Sequence, residues 1–183
     1  MADPAGLTGV LLVGGASSRF GSPKALAQLG GETLAERSWR VLGEACDERL
    51  AVGKSADGLE LPFPLVDDGS EVRAPLAGMV AGLRAAAHEV VVFLPVDVPL
   101  VGEAALRALA EACRDAATPP GHPLPGAYRR SALPVLERRL AEGELRLRDL
   151  LAELDAVAVA VDEALLANVN EPSDLERLAQ RSR

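Results

Sequence analysis

The chain has 183 residues, of which 49% are hydrophobic and 25% charged, which suits one soluble globular domain that buries a sizeable core without disulfide or metal staples. Nineteen Lys and Arg residues against 27 Asp and Glu leave a net charge of −8, and aromatics make up only 3%, so a nucleic-acid track held by charge or by base stacking is excluded. Only two of the basic residues are lysines: Lys24 falls in a glycine-rich stretch near the N-terminus, and Lys54 reads as an ordinary solvated residue or a rim contact.

In chain order, residues 9–13 are a continuous apolar run closed by Gly14 and Gly15, the pattern of a strand buried on both faces. A polar, glycine-containing loop follows to about residue 31. Over 33–45 the residues Leu34, Trp39, Val41, Leu42 and Ala45 predict an amphipathic helix, and Thr33 with Glu36 makes a capping box at its start. Residues 49–52 and 64–66 read as short strands, and 75–87 as a helix with proline in its first turn. The most strongly β segment is 90–94, which runs out into Pro95-Val96-Asp97-Val98-Pro99. A helix over 103–115, a Pro/Gly-rich loop over 118–125, helices over 131–140 and 145–154 and a strand over 156–161 follow, and residues 170–174 open a terminal helix. This alternation predicts an α/β layer fold with a mostly parallel sheet and right-handed crossovers. Ligands of such sheets bind beyond the carboxyl ends of the strands, so the residues just after each apolar run are the candidates.

Cys46 and Cys113 sit in apolar helical patterns without a CxxC or Cys/His neighbour and read as small core thiols. The start Met1-Ala2-Asp3-Pro4 lacks a basic leader, and no uncharged apolar run reaches the roughly 18 residues of a membrane span; a cytoplasmic protein is expected.

The stretch from Leu12 to Leu26 holds three glycines, three serines, Arg19 and Lys24. Small residues let backbone N–H groups converge on an anion, hydroxyls add donors, and the two cations supply charge for a polyphosphate. The spacing is neither that of a P-loop nor that of a dinucleotide fingerprint. Asp97 falls at the expected end of a strand, where one carboxylate can help to hold a Mg2+ ion that takes its other ligands from water and phosphate. Asp67 and Asp68 end another strand and could equally form a turn. Asn168 and Asn170 fit turns, and Asn170 could cap the last helix; His122 reads as a solvated loop residue.

The pattern Gly14-Gly15-x-Ser17-x-Arg19-Phe20-Gly21-x-x-Lys24-Ala25-Leu26 resembles the signature loop of the molybdenum cofactor guanylyltransferases. Pro75-Leu76-Ala77-Gly78, Val96-Asp97-Val98-Pro99, Asn168-Val169-Asn170-Glu171-Pro172-Ser173-Asp174-Leu175, and His122-Pro123-Leu124 with the stretch from Tyr128 to Leu133 are also similar to segments of that family, in the same order. The resemblance implies a three-layer, Rossmann-like nucleotidyltransferase fold in a single domain over 1–183. It implies transfer of GMP from Mg2+-GTP to the terminal phosphate of the molybdenum pterin cofactor, with release of pyrophosphate. By the same resemblance Arg19 and Lys24 meet the triphosphate and Asp97 the Mg2+, while the backbone of Leu12, Val13 and Gly14 meets base and ribose. Gly15, Ser17, Ser55 and one of Asp67 and Asp68, with Asp68 preferred, contact the nucleotide. Asn168 and Asn170 lie near the metal or pterin, and Tyr128 and Arg129 contact the pterin phosphate. GTP and molybdopterin are the implied small-molecule partners, and molybdopterin-insertion proteins or molybdoenzyme chaperones the implied protein partners. Ser22-Pro23 before Lys24 is also similar to the related cytidylyltransferases, so CTP, or another phosphorylated acceptor, is the alternative. Residues 71–74 replace the family's glycine-rich lead into Pro75, and the 118–125 connection looks shortened.

Overall fold

The first apolar run becomes β1 (Leu7–Leu12), an inner strand of a computed structural model that describes residues 6–14 and 23–181. A small hairpin of β2 (Gln28–Leu29) and β3 (Glu32–Thr33) leads into α1 (Leu34–Ala45). The capping box forms as expected, with the Thr33 hydroxyl accepting from the Glu36 amide at 3.1 Å and the Thr33 amide donating to the Glu36 carboxylate at 2.9 Å. Then come β4 (Glu48–Gly53), β5 (Leu65–Asp67), α2 (Pro75–Ala85), β6 (Val90–Pro95) and α3 (Glu103–Ala112). The last third holds β7 (Ala116–Thr118), β8 (Gly126–Arg129), α4 (Leu133–Glu142), α5 (Leu147–Leu151), β9 (Ala156–Ala158) and α6 (Pro172–Arg181).

Seven strands form one sheet in the order β5-β4-β1-β6-β8-β7-β9, and among the described residues only β8 runs against the rest. Successive side chains of a strand point to opposite faces. Leu11 and Val13 therefore pack with α1 and α3, and Val10 and Leu12 with α2, α4 and α5, which is the three-layer arrangement. Gly78 and Gly82 bring α2 close to the sheet: a Cβ at Gly78 would lie 2.9 Å from Leu12 Cδ2, and one at Gly82 2.8 Å from Phe93 Cε1. The chain builds from β1 toward β4 and β5 and then crosses back to place β6 on the other side of β1. Strand order thus reverses at β1, and a crevice opens at the carboxyl ends of β1, β4 and β6.

Several expectations change. Residues 116–118 and 126–129 are strands, so Thr118 ends β7 instead of opening a loop, and the hairpin β2–β3 occupies part of the anticipated polar loop. The 131–140 helix begins at Leu133 because residues 130–132 form a 3-10 turn, the 145–154 helix contracts to α5, and the last strand stops at Ala158. Cys46 is half-buried, Cys113 buried, and both are free thiols; burial pushes them up to about 12 and about 11. Among the described residues no helix is long and apolar enough to cross a membrane.

Candidate nucleotide site

Two cavities lie side by side along the carboxyl edge of the sheet and share Leu12, Gly14 and Pro75. The first, of about 210 Å3, has apolar walls from Leu12, Val52, Pro75 and Gly78, and a polar edge made by Lys54, Asp68, Asp57 and Arg73. The second, of about 390 Å3, is lined by Lys24, Asp97 and Asn168 with Val13, Pro95 and Leu124. A largely apolar cavity beside a compartment holding a cation and a carboxylate suits a ligand that is a ring at one end and charged at the other.

In the second cavity three distant segments meet. Lys24 starts a single 3-10 turn (Lys24–Leu26), and its Nζ lies 3.6 Å from Asp97 Oδ2 and donates to Asn170 Oδ1 at 3.3 Å. The backbone fixes these partners: the Val96 amide donates to the Leu12 carbonyl at 3.1 Å and the Val169 amide to the Asp97 carbonyl at 2.8 Å. Asn170 does not cap α6 with its side chain. Asp174 reaches back instead, accepting from the Asn170 and Glu171 amides at 2.7 and 3.0 Å, and these bonds hold its carboxyl below the usual range. Among the described residues no group of three or more His, Cys, Asp or Glu side chains could hold a metal. A lone Asp97 facing an open cavity is the wrong donor set for an all-protein metal cage. It fits a hard divalent ion that takes one or two carboxylates and completes its shell with water and substrate phosphate.

In the first cavity Lys54 departs from the solvated residue that its sequence suggests. Its Nζ donates to Asp68 Oδ1 and Oδ2 at 2.8 and 3.0 Å and to the Ser70 carbonyl at 2.5 Å. The two neighbouring aspartates divide their work. Asp68 faces the cavity, whereas the Asp67 carboxylate is spent on the loop, accepting from the Ser55 and Gly69 amides at 2.7 Å each, which holds it below its ordinary value. Ser55 is exposed and turned to Asp67, outside the cavity lining.

Leu12, Val13, Gly14, Lys24, Asp68, Asp97, Asn168 and Asn170 are thus gathered along one edge. Gly15, Ser17 and Arg19 lie outside the described residues. Tyr128 and Arg129 are not brought to these two cavities, for a reason of register. Antiparallel β8 pairs Tyr128 with Val91 and Arg129 with Val90, at the start of β6, and five residues of strand separate Val90 from Pro95, about 17 Å. The Tyr128 ring is fully buried edge-on to Phe93 and its hydroxyl donates to the Pro123 carbonyl at 2.7 Å, while Arg129 reaches the Cys113 carbonyl at 3.4 Å. The residues that sequence reading missed are Lys54, Asp57 and Arg73; the pairing of Gly53 with Asp67 across β4 and β5 is what carries Lys54 to Asp68.

The topology and the two cavities at the strand ends define an α/β protein of the nucleotide-handling class. Residues 9–158 match the MobA-like NTP transferase domain. A probable molybdenum cofactor guanylyltransferase from Chloroflexus aggregans is 33% identical, over 93% of this chain and 92% of its own. One from Deinococcus radiodurans is 35% identical, over 96% and 95%. The crystal structure of molybdopterin-guanine dinucleotide biosynthesis protein A from Archaeoglobus fulgidus matches with a TM-score of 0.82 at 26% identity, covering 96% of this chain and 98% of that one. The chain belongs to the MobA-like NTP transferases, and it is a nucleotidyltransferase.

Proposed function

We propose that the protein transfers GMP from Mg2+-GTP to the terminal phosphate of the molybdenum pterin cofactor. An oxygen of that phosphate forms a bond to the α-phosphorus of GTP, the bond from that phosphorus to the β-phosphate oxygen breaks, and pyrophosphate leaves. The observation that carries the reading is the meeting of Lys24, Asp97 and Asn170 next to an apolar slot at the strand ends, in a chain whose relatives bear the guanylyltransferase name.

A phosphate monoester is already an anionic nucleophile, so the residues need only align it and balance charge. Lys24 and Arg19 bind the triphosphate, and Lys24 neutralises negative charge where the phosphates enter the second cavity. Asp97 would hold the divalent ion, taken to be Mg2+, whose chemistry is to neutralise the phosphate oxygens. The backbone of Leu12, Val13 and Gly14 together with Asp68 accommodates base and ribose in the first cavity. Asn170 orients Lys24, and Asn168 faces the acceptor. Gly15 and Ser17 are assigned to the nucleotide; Ser55 acts through Asp67 and the loop.

The deciding experiment measures pyrophosphate release with molybdopterin and GTP, CTP, ATP or UTP in turn. Release with GTP, together with a guanine dinucleotide product, is expected. Release with CTP in preference to GTP would replace the guanylyl reading by a cytidylyl one.

A further inference from the structure

Both lysines of the chain end in this site, yet the proposed reaction uses only Lys24. Lys54 follows directly on β4, and its side chain is 12% exposed against 7% for its partner Asp68. A buried ion pair loses hydration on both sides and is a poor device for stability alone. The distribution of its hydrogen bonds indicates what else it does. Asp68 Oδ1 accepts from Lys54 Nζ and from the Ser70 amide at 3.0 Å, whereas among the described residues Oδ2 accepts from Lys54 alone. A carboxylate offers about four lone-pair sites, so Oδ2 keeps one acceptor site, on a residue that lines the first cavity. The other charged pair there is closed on itself: Arg73 donates to both oxygens of Asp57 at 2.7 and 3.3 Å, with the arginine largely in solvent.

We infer that Lys54 is a positioning residue for nucleoside recognition, holding the Asp68 carboxylate so that Oδ2 accepts a hydrogen bond from the exocyclic amino N–H of the base or an O–H of the ribose. The inference rests on the reading that the nucleoside of GTP fills the first cavity, and it deepens that reading by naming the chemical group selected. An ionised carboxylate is an acceptor only, so the cavity favours a nucleoside that presents a donor to it and rejects one that presents an acceptor.

A comparison across protein and ligand tests this. The full chain and its Lys54→Met variant are titrated with the Mg2+ forms of GTP, ITP, 2′-deoxy-GTP and 3′-deoxy-GTP, and KM and kcat for pyrophosphate release are measured alongside. The wild type should bind at least one analogue about 10- to 100-fold more weakly than GTP, the worth of a hydrogen bond to a charged group. A penalty for ITP identifies the 2-amino N–H of guanine as the donor, and a penalty for a deoxy analogue identifies a ribose O–H. In Lys54→Met GTP itself should weaken, KM should rise with little change in kcat, and the gap between GTP and that analogue should shrink to under about threefold, because the two changes act on one contact. A purely structural lysine would weaken all four nucleotides equally and leave the gap intact. If thermal melting shows Lys54→Met unfolded, Lys54→Gln, which can still donate to the Ser70 carbonyl without a charge, is measured instead. Equal binding of all four nucleotides by the wild type, a gap that survives in the folded variant, or loss of folding in both variants each overturns the inference. The guanylyl reading is judged separately, by GTP against CTP on the wild type; if CTP is preferred, the same gap is measured with CTP and its deoxy forms.

Discussion

Asp97→Asn separates the two effects expected of the carboxylate beside Lys24, because they have opposite signs. In the free protein Asp97 Oδ2 lies 3.6 Å from Lys24 Nζ, with the two side chains 32% and 16% exposed. Coulomb's law at that separation gives about 1 kcal/mol at the dielectric of water and about 5 kcal/mol at an effective value of about 20. Solvent access to both groups keeps the net value near the lower figure. A triphosphate without its metal must compete for Lys24 against that attraction and also meets the repulsion of Asp97 itself. Removing the charge should therefore tighten metal-free GTP binding, by about fivefold for each 1 kcal/mol released. With Mg2+ present the sign reverses, since a neutral amide is a poorer ligand for a hard cation, and turnover should fall by at least about 100-fold. Calorimetric titration of GTP in EDTA and in excess Mg2+, with pyrophosphate release measured in parallel, reads both effects. If the variant binds metal-free GTP more weakly than the wild type, or keeps the full gain in affinity on adding Mg2+, the assignment of Asp97 to the metal is wrong.

Lys24→Arg keeps the charge but replaces a compact ammonium by a wider planar fork where Asp97 and Asn170 already crowd the cation; kcat/KM for GTP should drop by about 10- to 100-fold, and an unchanged value would show that charge alone suffices. Tyr128→Phe removes a buried hydrogen bond to the Pro123 carbonyl and should cost about 1 kcal/mol in urea unfolding. The same variant, like Arg129→Ala, should leave KM for the pterin cofactor as it was, and a several-fold rise in that KM would return these residues to the site. Asp174 has a folded-state carboxyl held below its unfolded value by the Asn170 and Glu171 amides, so its stabilising effect is complete above the unfolded value near about pH 4 and is lost as pH falls through the folded one. Thermal melts should accordingly show Asp174→Ala less stable than wild type from pH 5 to 8 and the two converging in acid; a gap that widens on acidification refutes the capping role.

What could be read in the sequence was whatever a short window of residues determines. β1, β4 and β6 are apolar runs ended by glycine, lysine or proline, and α1 announces itself through Thr33 and Glu36. β7 and β8 carry no such signature: they are three and four residues long, built largely of alanine and glycine, and become strands only through pairing with β6, β9 and each other. Tyr128 shows the cost of that gap. It lies beside two arginines in a stretch with no predicted element, and only the β6–β8 register reveals that its ring packs edge-on to Phe93 at a buried position of the sheet. Lys54 fails for a related reason, since its partner lies 14 residues further on and the two predicted strands, 49–52 and 64–66, carry no local sign that they pair side by side.

Parallel register also explains why cations and carboxylates pair at this edge. Neighbouring strands that end together present their next residues side by side: Gly53 pairs with Asp67, which sets Lys54 against Asp68, and Leu12 pairs with Pro95, which sets Asp97 at the mouth of β1. Lys24, delivered from outside the sheet, meets that second carboxylate. Asp68 and Asp97 therefore each face a lysine, and Asp57 faces Arg73, so the cavity edges carry carboxylates without presenting unbalanced negative charge to a polyphosphate, in a chain whose net charge of −8 would otherwise repel it. The two pairs differ in exposure, and exposure separates their roles. Lys24 and Asp97 are open enough to exchange each other for phosphate and metal, whereas Lys54 and Asp68 are too deeply set to part without a large desolvation cost. On the proposed reading the ligand breaks the first pair, whereas the second remains intact and presents its one spare acceptor.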